Sequence, residues 1–270
     1  MTSKLFSIVF VFSLLFQLSC KFETKEDKIE KSEAISPVFQ AVTIQQNSGN
    51  CDNPDSLCFK IDIQYQRVEE GLENVKNAIN LKLDNYIANE LSGFISDDEN
   101  TQAQLDIEAL ITKLFDDYNN FIKDFDDYKQ SWHIAISTKL IFQDDHLISI
   151  LASNESYMGG AHGNHWDNVL NFDATNGESL SQEDIITNQP EFIKIAEINF
   201  RKTRGISSDA DLEKEGYFFK DGQFNLPENI GFTEKGILMI FNPYEAGPYS
   251  MGEIRYTIPR DETKALVRNY

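Results

Sequence analysis

His162 and His165 stand three residues apart, and Asp167 follows two further on. Two imidazoles and a carboxylate are the side chains that hold zinc, and water bound to zinc is a nucleophile near neutral pH. The spacing therefore admits metal-dependent hydrolysis through His162, His165 and Asp167. The same residues also suit a structural turn. The stretch Tyr157-Met-Gly-Gly-Ala-His-Gly-Asn-His-Trp166 holds three of the fourteen glycines. Glycine alone takes positive φ at little cost, and a histidine ring in such a turn has backbone groups to bond. Zinc sites draw ligands of fixed type and number, and this local set leaves the rest unnamed. No metal and no cofactor is assigned on it. The chain shows no Gly-x-Ser-x-Gly elbow, P-loop or zincin helix, and Ser156 has no evident partner. No catalytic residue is assigned, so binding is expected rather than catalysis.

The elements around this stretch read as alternating strands and amphipathic helices. Val38, Gln40, Val42 and Ile44 lead a first strand, and Phe59, Ile61, Ile63 and Tyr65 alternate with polar residues in a second. Leu72, Val75, Ile79, Leu83, Tyr86 and Leu91 make one helical stripe. Leu105, Ile107, Leu110, Leu114, Phe115, Tyr118, Phe121 and Ile122 make another. Asp116, Asp117, Asp124, Asp126 and Asp127 lack the glycine and closing glutamate of a calcium loop and read as a solvated helix face. Trp132 to Phe142 is a strand with Trp132, Ile134, Ile136, Thr138, Leu140 and Phe142 on one side. It forms a hairpin with Leu147 to Ser153, leaving His133 and His146 at the surface. Asp167 to Phe172 is the next strand. Ser181 caps a helix start, Pro190 opens a helix that Gly205 stops, and Asp209 to Phe219 reads as weakly helical. Asn229–Phe232 and Ile237–Phe241 form a hairpin. Ile254, Tyr256 and Ile258 form the last strand, before a short terminal helix.

The 270 residues carry a net charge of −20. That excludes nucleic acid, which needs a basic footprint, and favours a cationic partner through long-range steering. Residues 1–19 have the form of an export signal: Lys4, an apolar run, then Ser19 before Cys20. Residues 20–36 are too polar to order themselves and read as a flexible acidic tether. Cys51 and Cys58 flank turn residues and have no nearby histidine. In an exported chain the pair is expected to form a disulfide closing the first hairpin.

Gln17-Leu-Ser-Cys20 resembles the lipobox of bacterial lipoproteins, with Gln17 where leucine is usual. The resemblance implies lipid on Cys20 and a membrane anchor. Tyr157-Met-Gly-Gly-Ala-His-Gly163, with Phe241-Asn-Pro-Tyr-Glu-Ala-Gly-Pro-Tyr249 and Gly252 to Pro259, resembles an extracytoplasmic bacterial domain of unassigned general function. That domain occurs in lysozyme-sensing anti-sigma factors and in the non-catalytic part of peptidoglycan deacetylases, usually behind a smaller companion domain. No sigma-binding segment and no deacetylase catalytic domain is read here.

The resemblance implies a cell-envelope lipoprotein, in the periplasm or on the outer surface, that binds a cationic protein such as lysozyme or peptidoglycan. A metal-dependent hydrolase of cell-wall material is the alternative. The expected fold is α+β in two modules, 37–155 and 156–270, each an antiparallel sheet packed with helices. Tyr157, Gly159, Gly160, Ala161, Pro243 and Tyr244 are expected to fix the fold. His162, His165, Trp166, Asp167, Glu245 and Tyr249 are the candidate ligand contacts. Replacing Cys20 with alanine is expected to release the protein from membranes into the soluble fraction; a C20A variant that sediments with membranes overturns the anchor.

Overall fold

The computed structural model describes residues 36–53, 55–95, 106–125 and 127–268. The signal, Cys20, the tether up to residue 35, Pro54, the loop at 96–105 with Leu105, and Asp126 lie outside the described residues. No described helix is long and apolar enough to cross a membrane.

The architecture is α+β, with a five-stranded and a three-stranded sheet. Strands β1 (Val38–Gly49) and β2 (Cys58–Glu70) form an antiparallel hairpin. Cys51 and Cys58 are disulfide-bonded across its turn. Two helices then carry the chain across the sheet, α1 (Glu73–Ser92) and α2 (Ile107–Asp124). Because this crossover returns the chain to the same end, β3 (Trp132–Gln143) pairs with β2 in parallel. The remaining pairs, β3 with β4 (Leu147–Tyr157) and β4 with β5 (Asn164–Asp173), are antiparallel.

Both helices lie on one face of this sheet. Val75, Ile79, Leu83, Ile87 and Leu91 of α1 recur every fourth residue or so and are buried. With Leu110, Ile111, Leu114 and Tyr118 of α2 they meet Phe59, Ile61, Ile63, Ile134, Ile136, Ile148 and Ile150. Asn80 is buried within α1 and bonds both backbone groups of Val68, which ties the helix to the end of β2. Asp106 caps α2 by accepting from the Ala109 amide at 2.8 Å. Asp116, Asp124 and Asp127 are exposed.

The expected facing of β3 holds only up to Leu140. There the register slips by one residue, so that Leu140 pairs with Ile150 and Phe142 with Ser149. The extra residue, Ile141, is a β-bulge, and a bulge re-aims the side chains beyond it. Phe142 consequently joins the second core on the opposite face.

That second core belongs to the C-terminal elements: α3 (Gln182–Ile185), α4 (Gln189–Arg204), β6 (Asn229–Thr233), β7 (Gly236–Phe241), β8 (Ile254–Pro259) and α5 (Arg260–Thr263). Ser181 and Asp184 form a reciprocal capping box at α3, and Gly205 ends α4 in the left-handed region. Phe200 is surrounded by Tyr217, Phe219, Phe224, Phe241 and Tyr256. No helix forms between Asp209 and Phe219. The Asp211 carboxylate accepts from the amides of Glu213 and Lys214, a local bond that competes with helix propagation.

The three-stranded sheet packs on the face of β4 and β5 opposite the helices. Gly231 makes the approach possible, since a Cβ there would stand 2.4 Å from Val169 Cγ1. The 155/156 division falls inside β4, β5 completes the first sheet, and the described residues lie in one compact unit. Leu83→Ala is expected to cost about 2–5 kcal/mol, read as a fall in Tm of roughly 5–15 °C. Leu81→Ala, on the exposed face of the same helix at 59% exposure, is expected to stay within about 0.5 kcal/mol. Equal losses in the two variants would contradict this orientation of α1.

Candidate functional site

Strand β4 ends at Tyr157 and β5 begins at Asn164, so the Gly-Gly-Ala-His stretch is the connection between them. Gly159 and Gly160 take φ of 90° and 99°. A Cβ on Gly159 would stand 2.2 Å from the Tyr128 hydroxyl. That hydroxyl is fixed in turn, accepting from Trp132 Nε1 at 2.6 Å. The Gly160 amide donates to Gln130 Oε1 at 3.1 Å, and the Tyr157 hydroxyl donates to the Gly160 carbonyl at 3.0 Å. Ala161 is exposed. The turn is thus braced from the β3 side by residues 128–132.

From the other side it meets the loop at 242–249. The rings of His162 and Tyr249 stack at 4.4 Å. Both donate to one carbonyl, that of Gly163: His162 Nδ1 at 2.8 Å and the Tyr249 hydroxyl at 3.1 Å. Tyr244 packs obliquely on Tyr249 at 5.5 Å. Two residues of this loop are placed otherwise than expected. Tyr244, expected to pack, is 62% exposed with φ 72°. Glu245, expected to offer charge to a partner, turns inward and accepts from the amides of Asn242 and Glu228 at 2.8 and 2.7 Å. Burial pushes the Glu245 carboxyl above its usual range, against those two amides.

Alternation along β5 separates the other candidates. His165 and Asp167 face away from the helices, paired across the strands with Glu155 and Ser153. Trp166 faces α1 instead, where its Nε1 donates to Glu90 Oε2 at 3.0 Å and its ring lies 6.1 Å from Phe94. Burial raises the Glu90 carboxyl, offset in part by that bond and by one from Tyr86. Asp167 is only 1% exposed. Its backbone amide and carbonyl are both bound by the Asn242 side chain at 2.8 Å, and Oδ2 accepts from Arg255 Nη2. Arg255 Nε also donates to Glu253 Oε1 at 2.8 Å. Burial raises the Glu253 carboxyl and lowers the Arg255 guanidinium. His165 Nε2 completes the group, 3.6 Å from Glu253 Oε2 and 3.9 Å from Asp167 Oδ1.

The structure therefore brings His165 and Asp167 together and leaves His162 on Tyr249. The third member is a second acid, Glu253, far beyond His165 in the chain. Its pattern Glu253-x-Arg255 puts both side chains on one side of a strand start, which was the only local signal. Gln130 and Tyr128, which brace the turn, carry no motif at all.

Gly159→Ala is expected to destabilise by about 1–3 kcal/mol, and by more than Gly160→Ala, which meets nothing within 4 Å. Thermal melts compare the two directly; a Gly160→Ala loss equal to or larger than that of Gly159→Ala would mean that Tyr128 does not brace the turn.

Comparison with known proteins places these features in context. Residues 180–261 match the family model of a protein of unknown function, DUF3298, and residues 53–165 that of the deacetylase PdaC. Peptidoglycan-N-acetylmuramic acid deacetylase PdaC of Bacillus subtilis is 24% identical over 139 residues, which are 50% of this chain and 29% of that protein. The chain thus spans under a third of that relative's length. A DUF3298-family crystal structure from Bacteroides fragilis aligns with TM-score 0.62 at 20% identity, over 87% of this chain and 95% of the other. A second, from Pseudomonas aeruginosa, aligns with TM-score 0.61 at 17% identity, over 86% and 96%. In sequence across 53–165 and 180–261, and in fold across most of its length, the chain is similar to PdaC-like and DUF3298 proteins.

Proposed function

We propose that this chain is a non-catalytic binding module of the bacterial cell envelope, anchored through lipid on Cys20 and displayed on the extracytoplasmic side. Its proposed ligand is peptidoglycan, held on the part of the helix-free face of the five-stranded sheet that the three-stranded sheet leaves open. One observation carries this reading. The stretch that matches the deacetylase PdaC model supplies β2, β3 and β4, and these strands line an open groove of about 350 Å³. Its walls include Gln45, Asp62, Gln64, Ser137, Ser153 and Glu155. Amides, hydroxyls and carboxylates of this kind suit a ligand rich in hydroxyl and amide groups. His133 and Tyr157 stack at 6.2 Å on the same face, an aromatic surface at the groove's end.

A cationic protein such as lysozyme is the second reading, favoured by the net charge of −20. Hydrolysis through His162, His165 and Asp167 has less support, because His162 is held by Tyr249 and Gly163.

Co-sedimentation with purified peptidoglycan and capture on immobilised lysozyme separate the readings. The wild-type protein is expected to sediment with peptidoglycan. A Gln64→Ala, Glu155→Ala double variant is expected to lose tenfold or more in affinity, about 1.4 kcal/mol, at unchanged melting temperature, since both side chains are exposed. Retention on lysozyme alone transfers the assignment to a cationic protein, and full peptidoglycan binding by the double variant removes the groove from it.

A further inference from the structure

We propose that His165, Asp167 and Glu253 bind one zinc-type divalent cation where β5 meets the start of β8. One ligand atom from each side chain lies within 4.8 Å of the other two. The His165 Nε2 distances of 3.6 Å to Glu253 Oε2 and 3.9 Å to Asp167 Oδ1 are close to the separation set by tetrahedral zinc, whose bonds near 2.1 Å hold ligand atoms roughly 3.4 Å apart.

An independent observation points to a ligand there. Asp167 is 1% exposed, and its Oδ1 is buried with no hydrogen-bond partner among the described residues. A buried carboxylate oxygen left unsatisfied is costly, and this one faces His165. The other oxygen of Asp167 is held by Arg255 Nη2, and Glu253 is held by Arg255 Nε and Nη2. Arg255 thus orients both carboxylates: Glu253 Oε2 accepts from its Nη2 at 3.2 Å while lying 3.6 Å from His165 Nε2, and Asp167 Oδ1 is left toward the imidazole. On the far side of that ring, Glu155 Oε1 lies 3.9 Å from His165 Nδ1. One imidazole with two carboxylates suits zinc better than magnesium or calcium, which take oxygen ligands. His165 is 40% exposed on its side chain, so an ion can enter from solvent. The ion clamps the two sheets at their junction.

The competing arrangement is a protonated His165 filling the same space, in which case added metal does nothing. The test is calorimetric titration of zinc chloride into the metal-stripped, detergent-solubilised full chain, with parallel thermal melts. One ion per chain, with a Kd on the order of micromolar or tighter and a raised Tm, is expected. His165→Gln and Glu253→Gln are each expected to weaken binding at least tenfold and to abolish the rise in Tm. His162→Gln is expected to leave both intact. A wild-type chain that takes up no zinc overturns the proposal whatever the variants do. So does binding that survives both His165→Gln and Glu253→Gln, or that is lost in His162→Gln.

Discussion

Two sheet edges face each other in this molecule, and amide side chains close the gap between them. Strand β5 ends the five-stranded sheet and β6 ends the three-stranded one. Each edge presents unpaired backbone groups that either need partners or invite foreign strands. Here the partners are side chains. Asn242 binds both backbone groups of Asp167, and Asn229 accepts from the Val169 amide at 3.0 Å. In the other direction, Asn171 donates to the Ile230 carbonyl at 2.8 Å, and Ser149 accepts from the Phe232 amide at 3.0 Å. Several of these groups are buried, so each bond left unmade would cost more than it contributes when made. The seam therefore sets position sharply: a displacement of one residue would orphan all of them.

The charged cluster depends on this seam. Asn242 draws Asp167 under the second sheet, which removes its carboxylate from water. A carboxylate buried alone would be costly, and Arg255 from β8 supplies the opposing charge. Arg255 in turn gathers Glu253, and His165 faces the pair from the strand position two before Asp167. The group is thus assembled by two strands, β5 and β8, and by the chain between β7 and β8, although it involves only four ionisable side chains.

The α+β class was legible because period-two alternation in the strands and the helical stripes in α1 and α2 are strong local signals. The bulge at Ile141 was not. One extra residue leaves the apolar content of β3 unchanged while exchanging the face of everything beyond it, so Phe142 looks like its neighbours in sequence and serves the other core. The separation of Trp166 from His165 and Asp167 was legible in principle, since adjacent strand residues point to opposite faces. Glu253 and Arg255 were out of reach, because their contact with Asp167 depends on the docking of one sheet on another. Glu245 is a part case: its bond to the Asn242 amide is local, but the second, to the Glu228 amide, spans seventeen residues.

The family matches end at 165 and resume at 180, yet β5 runs through the interval and couples the two halves. Its even residues serve α1: Trp166 bonds Glu90, and Asn168 bonds the Tyr86 hydroxyl at 2.9 Å. Its odd residues serve the second sheet through Asp167, Val169 and Asn171. Phe142 and Leu147, from the first sheet, complete the C-terminal core. Neither half is therefore finished without the other, despite the tandem pattern in sequence. The coupling extends to the groove, because Ser153 and Glu155 on its wall are the cross-strand neighbours of Asp167 and His165.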